Sequence, residues 1–224
     1  MKARGLTIAL ILLGTLPAPV EAITFQMPGQ TLLNVPVRSL VELRFKNVVR
    51  QAHDISCGAA ALATLLKYYY AEEVTEREAI EAMLALGDRE KIQKEGFSLL
   101  EMKWFAEKKG YVATGYRIND VNNLNKLKIP AITVVKVRGY AHFVVIKGVA
   151  DGQVFIADPA FGNRSRPLEG FDREWNKVIL VVLHSTRTGS SAFTLDPTLR
   201  VRASDVMLFL DQNLQSIAPA AGEF

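Results

Sequence analysis

The sequence of 224 residues contains a single cysteine, Cys57, and only three histidines. One cysteine excludes an internal disulfide, and together with so few histidines it excludes the zinc sites that are built from paired Cys and His clusters. A free thiol in an oxidising compartment is a liability unless it is buried or takes part in chemistry. The scarcity of cysteine therefore makes Cys57 a candidate functional residue.

Long hydrophobic runs are also absent. The most apolar stretch, Leu6 to Leu16, has about eleven residues, whereas a membrane-spanning helix needs roughly 20. Two basic residues precede it, and Val20 to Ala22 places small residues at the −3 and −1 positions of a cleavage site. This order is typical of a secretory signal peptide. We expect residues 1–22 to be removed on export; if they are retained, they would tether the protein to a membrane.

Clusters of one charge are missing as well, although the formal net charge is +4. Lysines and arginines are scattered and usually have acidic neighbours, as in Glu101 to Lys109. Dispersed charge of this kind is typical of a solvated surface and not of a nucleic-acid stripe or an anionic-lipid site. We therefore expect no nucleic-acid partner.

The first half of the remaining chain has helical signals. About 200 residues follow the signal peptide, enough for one domain, and residues 23 to about 45 predict an extended lead-in with one strand. The Ala- and Leu-rich segment that begins at Cys57 predicts a buried helix. Two further helices should each start at a Ser or Thr with Glu three residues later and end at a glycine: Thr75 with Glu78 before Gly87, and Ser98 with Glu101 before Gly110.

The second half has strand signals. Short β-branched runs occupy Ile132 to Val137, Phe143 to Val149, Val154 to Ala157 and Val178 to Leu183. Asp151-Gly152 is a two-residue hairpin signal between the second and third runs. The order of elements predicts an α+β fold in which N-terminal helices pack on a C-terminal, mostly antiparallel sheet.

The chain beyond residue 185 has a different composition from the strand region before it. Thr186 to Ser191 is rich in Ser, Thr and Gly and is typical of a linker. A short amphipathic helix is predicted from Ser204 or Asp205 to Leu214, followed by a flexible tail. We therefore expect one domain over residues 23–185 and a linker, short helix and tail over residues 186–224.

Cys57 stands where the first buried helix is predicted to begin. A thiol there lies at the positive end of the helix dipole, which favours the thiolate. Gly58 would let another chain, such as a peptide substrate, approach closely. A lone cysteine beside alanines is also a common small core residue, so the position alone decides nothing.

Two further residues could complete a catalytic group with Cys57. His142 precedes the strand that begins at Phe143, and Asp158 ends the next strand along the chain. Because a hairpin joins these strands, the carboxylate can lie beside the imidazole and orient it, as in a nucleophilic triad. Gln51, six positions before the cysteine, could donate its amide to the oxyanion together with the Cys57 backbone N–H.

Three segments of the sequence resemble the C39 peptidases, papain-like domains that trim double-glycine leader peptides. They are QAHDISCGAAALATLLKYY (Gln51 to Tyr69), AHFVVIKGV (Ala141 to Val149) and VFIADPAFG (Val154 to Gly162), and the resemblance extends from Val35 to Leu183. It implies the papain-like fold, with Cys57 as nucleophile, His142 as base, Asp158 as orienting carboxylate and Gln51 as oxyanion donor. It also implies cleavage after small residues and no cofactor.

The sequence departs from that family in two respects. Ser56 precedes the cysteine where the family usually has Asp, and a signal peptide replaces the transporter that familiar members carry. The chain is more similar to stand-alone exported members that accompany the functional amyloid systems of pseudomonads. That resemblance implies a periplasmic location and amyloid-secretion components as partners.

Two alternatives stay open at this point. The same fold can serve as a non-catalytic module that docks a secretion substrate. The same triad can also transfer an acyl group to an acceptor other than water, as in acyltransferases and transglutaminase-like enzymes. His53 and His184 are weaker candidates for a direct role, since neither lies in a motif that requires an imidazole.

Overall fold

A computed structural model describes residues 22–25, 33–36, 39–137, 139–190, 192–194 and 215–217. Almost all of the predicted signal peptide and the predicted helix up to Leu214 lie outside these residues. The chain divides into two units, Met1–Leu40 and Val41–Phe224. In the first unit, strands β1 (Ala22–Phe25) and β2 (Leu33–Pro36) pair antiparallel, so the lead-in contains two strands where the sequence predicts one.

Six α-helices and one 3₁₀ segment are described: α1 (Leu40–Arg44), α2 (Cys57–Tyr70), α3 (Glu76–Leu86), α4 (Arg89–Glu95), α5 (Leu99–Lys108), the 3₁₀ segment Val121–Lys126 and α6 (Leu168–Glu174). The predicted helix starts are confirmed. Thr75 accepts a hydrogen bond from the Glu78 amide, and Ser98 and Glu101 form both halves of a capping box. None of the described helices has the length and apolar character that crossing a membrane would require.

The strands of the second unit form one antiparallel sheet in the order β7-β6-β5-β4-β8-β3-β9. Their bounds are β3 (Val112–Arg117), β4 (Ala131–Val137), β5 (Tyr140–Ala150), β6 (Gln153–Asp158), β7 (Gly162–Pro167), β8 (Trp175–Leu183) and β9 (Gln215–Ile217). Asp151 and Gly152 both have positive φ, as the predicted hairpin requires. The α+β fold, helices first and antiparallel sheet second, is confirmed.

Helix α2 forms the centre of the core and packs against β5 and α3. Ala59 to Ala63 are fully buried. A helix that is apolar on all sides must be covered on all sides, and alanines let the sheet approach its backbone closely. The first residue of this helix is therefore held in a rigid frame.

Residues just beyond the predicted boundary at residue 185 contact the domain. The Ser190 amide donates to the Tyr69 carbonyl (2.6 Å), and the Arg187 guanidinium pairs with the Glu72 carboxylate. Gly189 lies so close to the Tyr69 ring that a Cβ atom would be 1.8 Å from it. The glycine permits close packing here and does not serve a loose linker. Strand β9 of the predicted tail also belongs to the sheet, at the edge of β3.

Candidate active site

The side chains of Cys57, His142 and Asp158 come together beside an open cleft. Cys57 is the first residue of α2, His142 the third residue of β5 and Asp158 the last residue of β6. His142 Nε2 lies 2.8 Å from Asp158 Oδ1, and Cys57 and His142 both line the cleft, close enough for the thiol to influence the pKa of the imidazole. The β5–β6 hairpin therefore supplies the imidazole and the carboxylate, and α2 supplies the sulfur.

The sequence predicts His142 at the start of its strand, whereas it lies two residues inside. Strand β4 extends to Val137, which pairs with Tyr140 and so lengthens β5 at its N-terminal end. In this longer strand, backbone hydrogen bonds hold the chain on both sides of His142 and so fix the position of its imidazole.

His142 is only 12 % exposed and is hydrogen-bonded to Asp158. Burial alone would lower its pKa, but the hydrogen bond to Asp158, the influence of Cys57 and the charge of Asp158 raise the pKa to about 9. The imidazole is therefore the protonated, cationic form at neutral pH.

Asp158 is fully buried and accepts several hydrogen bonds. Its Oδ1 atom accepts from His142 Nε2, from the Ala160 amide (2.9 Å) and from the Phe161 amide (3.1 Å). Burial would raise its pKa, but the hydrogen bond from His142 and the positive charges of His142 and Arg164 hold the pKa below its usual range. The carboxylate is therefore ionised and fixed in orientation.

The N-terminus of α2 lacks the usual side-chain cap. Ser56 is the N-cap residue, but its hydroxyl donates to Glu76 Oε1 (2.5 Å) and lies 2.7 Å from the His53 carbonyl instead of accepting from the first turn. The first amides of an α-helix have no partner within the helix. In α2 the first amide that bonds within the helix is that of Ala60, which donates to the Ser56 carbonyl (2.9 Å).

The loop between Gln51 and Ser56 is anchored at both ends. The Gln51 amide donates to the Pro159 carbonyl (3.0 Å), and Glu76 accepts from the Ala52 amide (2.9 Å) as well as from Ser56. Glu76 belongs to α3, so a carboxylate far away in sequence fixes the chain that leads into the nucleophile. The role of Glu76 could not be predicted from the sequence, since the residue lies on a helix face with the pattern of a solvent-exposed surface.

Of the four predicted site residues, Cys57 and His142 line the cleft, whereas Asp158 and Gln51 are not among its described lining residues. The Gln51 Nε2 atom donates to the His53 carbonyl (3.2 Å) within the same loop. An amide nitrogen carries two hydrogens, so this bond occupies one of them. The loop places the amide before the start of α2, and its role as an oxyanion donor stays a prediction.

The need for glycine at position 58 is explained by packing within the molecule. A Cβ atom at this position would lie 2.6 Å from Met102 Cε and 3.3 Å from Phe97 Cβ. The glycine therefore lets α5 and the preceding loop pack against the first turn of α2. It serves the internal packing of the molecule, and a role in the approach of a substrate stays a prediction.

The cleft beside Cys57 has a volume of about 640 Å³ and mostly apolar walls. Three of its lining residues are large apolar side chains that remain exposed: Ile55 (44 %), Tyr140 (79 %) and Phe161 (50 %). Exposed aromatic residues around a reactive group are typical of a surface that binds another molecule. Their positions were not predicted, because single aromatics in a sequence give no sign of where they face.

The two remaining histidines do not join this group. His53 is exposed in the loop before α2 and contributes its backbone carbonyl to the contacts of Ser56 and Gln51. His184 lies at the end of β8, where Nδ1 accepts hydrogen bonds from the amides of Thr186 and Arg187. Both contacts stabilise loops.

Comparison with known proteins agrees with this geometry. The chain is 40 % identical over 181 residues to a probable functional amyloid protease, FapD, of Pseudomonas aeruginosa, which covers 80 % of each chain. It is 38 % identical over 207 residues to the protein of the same description in Pseudomonas fluorescens, covering 92 % of this chain and 90 % of that protein.

A similar solved structure is a double glycine motif protease from an AMS/PCAT transporter, crystallised in complex with the leader peptide. The match has a TM-score of 0.51 and 28 % sequence identity, and it covers 61 % of this chain and 90 % of that one. The model of the Peptidase C39 family matches residues 45–187, which contain Cys57, His142 and Asp158. The chain belongs to the peptidase C39 family.

Proposed function

We propose that this protein is an exported cysteine endopeptidase in which Cys57 is the nucleophile, His142 the acid–base residue and Asp158 the orienting carboxylate. The observation that carries the proposal is the grouping of the sulfur, the imidazole and a fully buried carboxylate beside an open cleft. A cysteine with a purely structural role does not require a cationic imidazole beside it.

The chemistry follows from the positions of these groups. The Cys57 thiolate attacks the carbonyl carbon of a peptide bond, and the oxygen takes up negative charge. The Cys57 amide at the uncapped start of α2 and the Gln51 side chain donate hydrogen bonds to this oxyanion. The His142 imidazolium then gives its proton to the leaving amine, and a thioester forms. Solvent water, deprotonated by His142, hydrolyses the thioester and frees the thiol.

The substrate is a protein of a functional amyloid system, cut after small residues in the periplasm. Two relatives that match most of the chain are described as probable functional amyloid proteases, which supports this substrate class. A related domain crystallised with its leader peptide supports an extended peptide as the ligand of this fold. The exposed apolar rim at Tyr140 and Phe161 would contact the residues that flank the cut.

The test compares the protein with its Cys57→Ala and His142→Ala variants on purified proteins of a functional amyloid system, with mass spectrometry of the products. A new N-terminus that appears only with the unchanged protein supports the proposal. Binding without cleavage, equal for all three proteins, would indicate a docking module instead. A cross-linked product would indicate acyl transfer to an amine.

A second test needs no substrate. With one cysteine in the chain, alkylation reports Cys57 alone. An ordinary thiol reacts near its pKa of about 8.5, so rapid labelling at pH 6 that is lost in His142→Ala would show a thiolate–imidazolium pair. Labelling at pH 6 that is as slow in the unchanged protein as in His142→Ala would contradict the proposal.

A further inference from the structure

Arg164 contacts the candidate site from the side away from Cys57. Strand β6 lies between β5 and β7, and Asp158 at its end has a neighbour on each side. Asp158 is opposite Gly162 on β7, and Arg164 is two residues further along that strand, on the same face of the sheet. Its Nη2 atom lies 2.6 Å from Asp158 Oδ2. His142 approaches the carboxylate in the corresponding way from β5.

The two oxygens of the carboxylate have separate partners. Oδ1 accepts from His142 and from two backbone amides, whereas Oδ2 faces the Arg164 guanidinium. A fully buried carboxylate needs opposite charge nearby to remain ionised. His142 supplies that charge only while it holds its proton, and it gives the proton away when the amine leaves. Arg164 is the cation that remains at Asp158 throughout this step.

Arg164 also contacts the aromatic neighbour of the imidazole. Its Cζ atom lies 5.4 Å from the centre of the Phe161 ring, and that ring meets the His142 ring edge-on at 6.2 Å. Phe161 is half-exposed at the rim of the cleft, so few contacts other than this one restrict its ring. One guanidinium thus holds both the carboxylate and the aromatic residue that flank His142.

We propose that Arg164 is a positioning residue of the active site, which keeps Asp158 ionised and directed at His142 during the reaction. The inference rests on the proposed function, because it assigns a role within the same triad. The charged or titratable groups that face Asp158 are His142 on β5 and Arg164 on β7, with Cys57 on α2 beyond the imidazole. The Ala160 and Phe161 amides complete its surroundings.

The test is the pH dependence of Arg164→Gln, with Arg166→Gln as the matched control. Arg166 lies two residues further along β7 and pairs with Glu174 (3.5 Å), away from the triad. Without the guanidinium, Asp158 takes up a proton at higher pH. We expect the acid limb of kcat to move to higher pH, with a loss of roughly tenfold at pH 5 and an unchanged KM. Arg166→Gln should follow the unchanged protein.

A spectroscopic measurement separates this inference from the proposed function. The chain has three histidines, so the His142 ring resonances are assigned by comparison with His142→Ala. Protonation of Asp158 appears as an acid-side inflection of these resonances, whether or not a substrate is known. An inflection that moves to higher pH in Arg164→Gln supports the role of Arg164 even if no peptide is cleaved. An inflection at the same pH in both Gln variants overturns it.

Arg164→Lys is the second variant and keeps the positive charge. If Arg164→Lys keeps its activity, and if its acid limb of kcat and the inflection of its His142 resonances lie at the pH of the unchanged protein, the proposal is supported. This outcome can be read even if Arg164→Gln does not fold. If Arg164→Lys loses activity equally at every pH while its inflection stays at the pH of the unchanged protein, the residue is only a packing element and the proposal is wrong.

Discussion

The substitution Asp158→Asn tests the electrostatic account of the site most directly. Asparagine keeps an oxygen that can accept from His142 Nε2 but removes the negative charge. In the structure, burial lowers the pKa of His142, but the hydrogen bond to Asp158, then the influence of Cys57, and then the charge of Asp158 together raise it to about 9. Without the charge, the pKa of the imidazole should fall to its ordinary value near 6.5 or below.

The magnitude follows from the two pKa values. With a pKa of about 9, roughly nine-tenths of the imidazole is protonated at pH 8. With a pKa near 6.5, only about 3 % is protonated at that pH, whereas about three-quarters is protonated at pH 6. The step that needs the imidazolium, proton transfer to the leaving amine, should therefore slow about 30-fold more at pH 8 than at pH 6, in addition to the loss at every pH that comes from removing the charge of the orienting carboxylate.

The sign of the pH dependence is fixed by the raised pKa. Activity that needs the imidazolium is present below about pH 9 and is lost as the pH rises through that value. In Asp158→Asn the same loss should occur through about pH 6.5. The measurements are kcat/KM against pH and the ring resonances of His142. Asp151→Asn, an exposed change of the same chemistry in the turn between β5 and β6, is the control. An alkaline limb that stays near pH 9 in Asp158→Asn would refute this reasoning.

Three other substitutions test the support of the site. Glu76→Ala removes the acceptor of the loop before α2 and should lower kcat about tenfold, with the cost of an unsatisfied donor, about 1–3 kcal/mol, in unfolding free energy; exposed Glu81→Ala should do neither. Tyr140→Ala removes an exposed rim aromatic and should raise KM several-fold, with kcat and thermal stability unchanged. Gly58→Ala places a methyl group 2.6 Å from Met102 Cε and should destabilise the fold by about 1–3 kcal/mol in denaturant unfolding.

Each of these predictions has an outcome that contradicts it. Equal kinetics of Glu76→Ala and Glu81→Ala would show that the loop needs no anchor from α3. An unchanged KM in Tyr140→Ala would remove the rim from the binding surface. A Gly58→Ala variant of ordinary stability but low activity would restore the view that the glycine admits the substrate.

Features with a local physical cause were predicted well from the sequence. The capping residues Thr75 and Ser98 fix helix starts through hydrogen bonds within four residues of chain, so the signal is complete in a short window. The Asp151-Gly152 turn is equally local, but the register that brings His142 and Asp158 together also depends on a β-bulge between Ile146 and Gly148. The hairpin was therefore predictable, whereas the shift that places the two side chains on one face of the sheet was not.

Features that depend on distant parts of the chain could not be predicted. Strand β7 has the sequence Gly162–Pro167, polar throughout, and it is a strand because β6 offers it a free edge. Strand β9 pairs with β3 across about a hundred residues of sequence. Arg164 and Glu76 acquire their roles only through such pairings, since each meets a site residue from another element. Neither has a sequence pattern that distinguishes it from a surface charge.

The departure at Ser56 leads to a last prediction. C39 peptidases usually have Asp at this position, and the structure supplies a carboxylate from elsewhere: Glu76 accepts from the buried Ser56 hydroxyl at 2.5 Å. Ser56→Asp would place two carboxylates in contact, so it should lower kcat and stability together, because like charges at this distance cannot both stay ionised without cost. The double variant Ser56→Asp/Glu76→Gln again has one carboxylate and one neutral partner, with the carboxylate now at position 56 and the neutral side chain at position 76. It should regain most of the lost activity. Equal activity of the single and double variants would show that the two positions do not interact and that Ser56 is a neutral substitution.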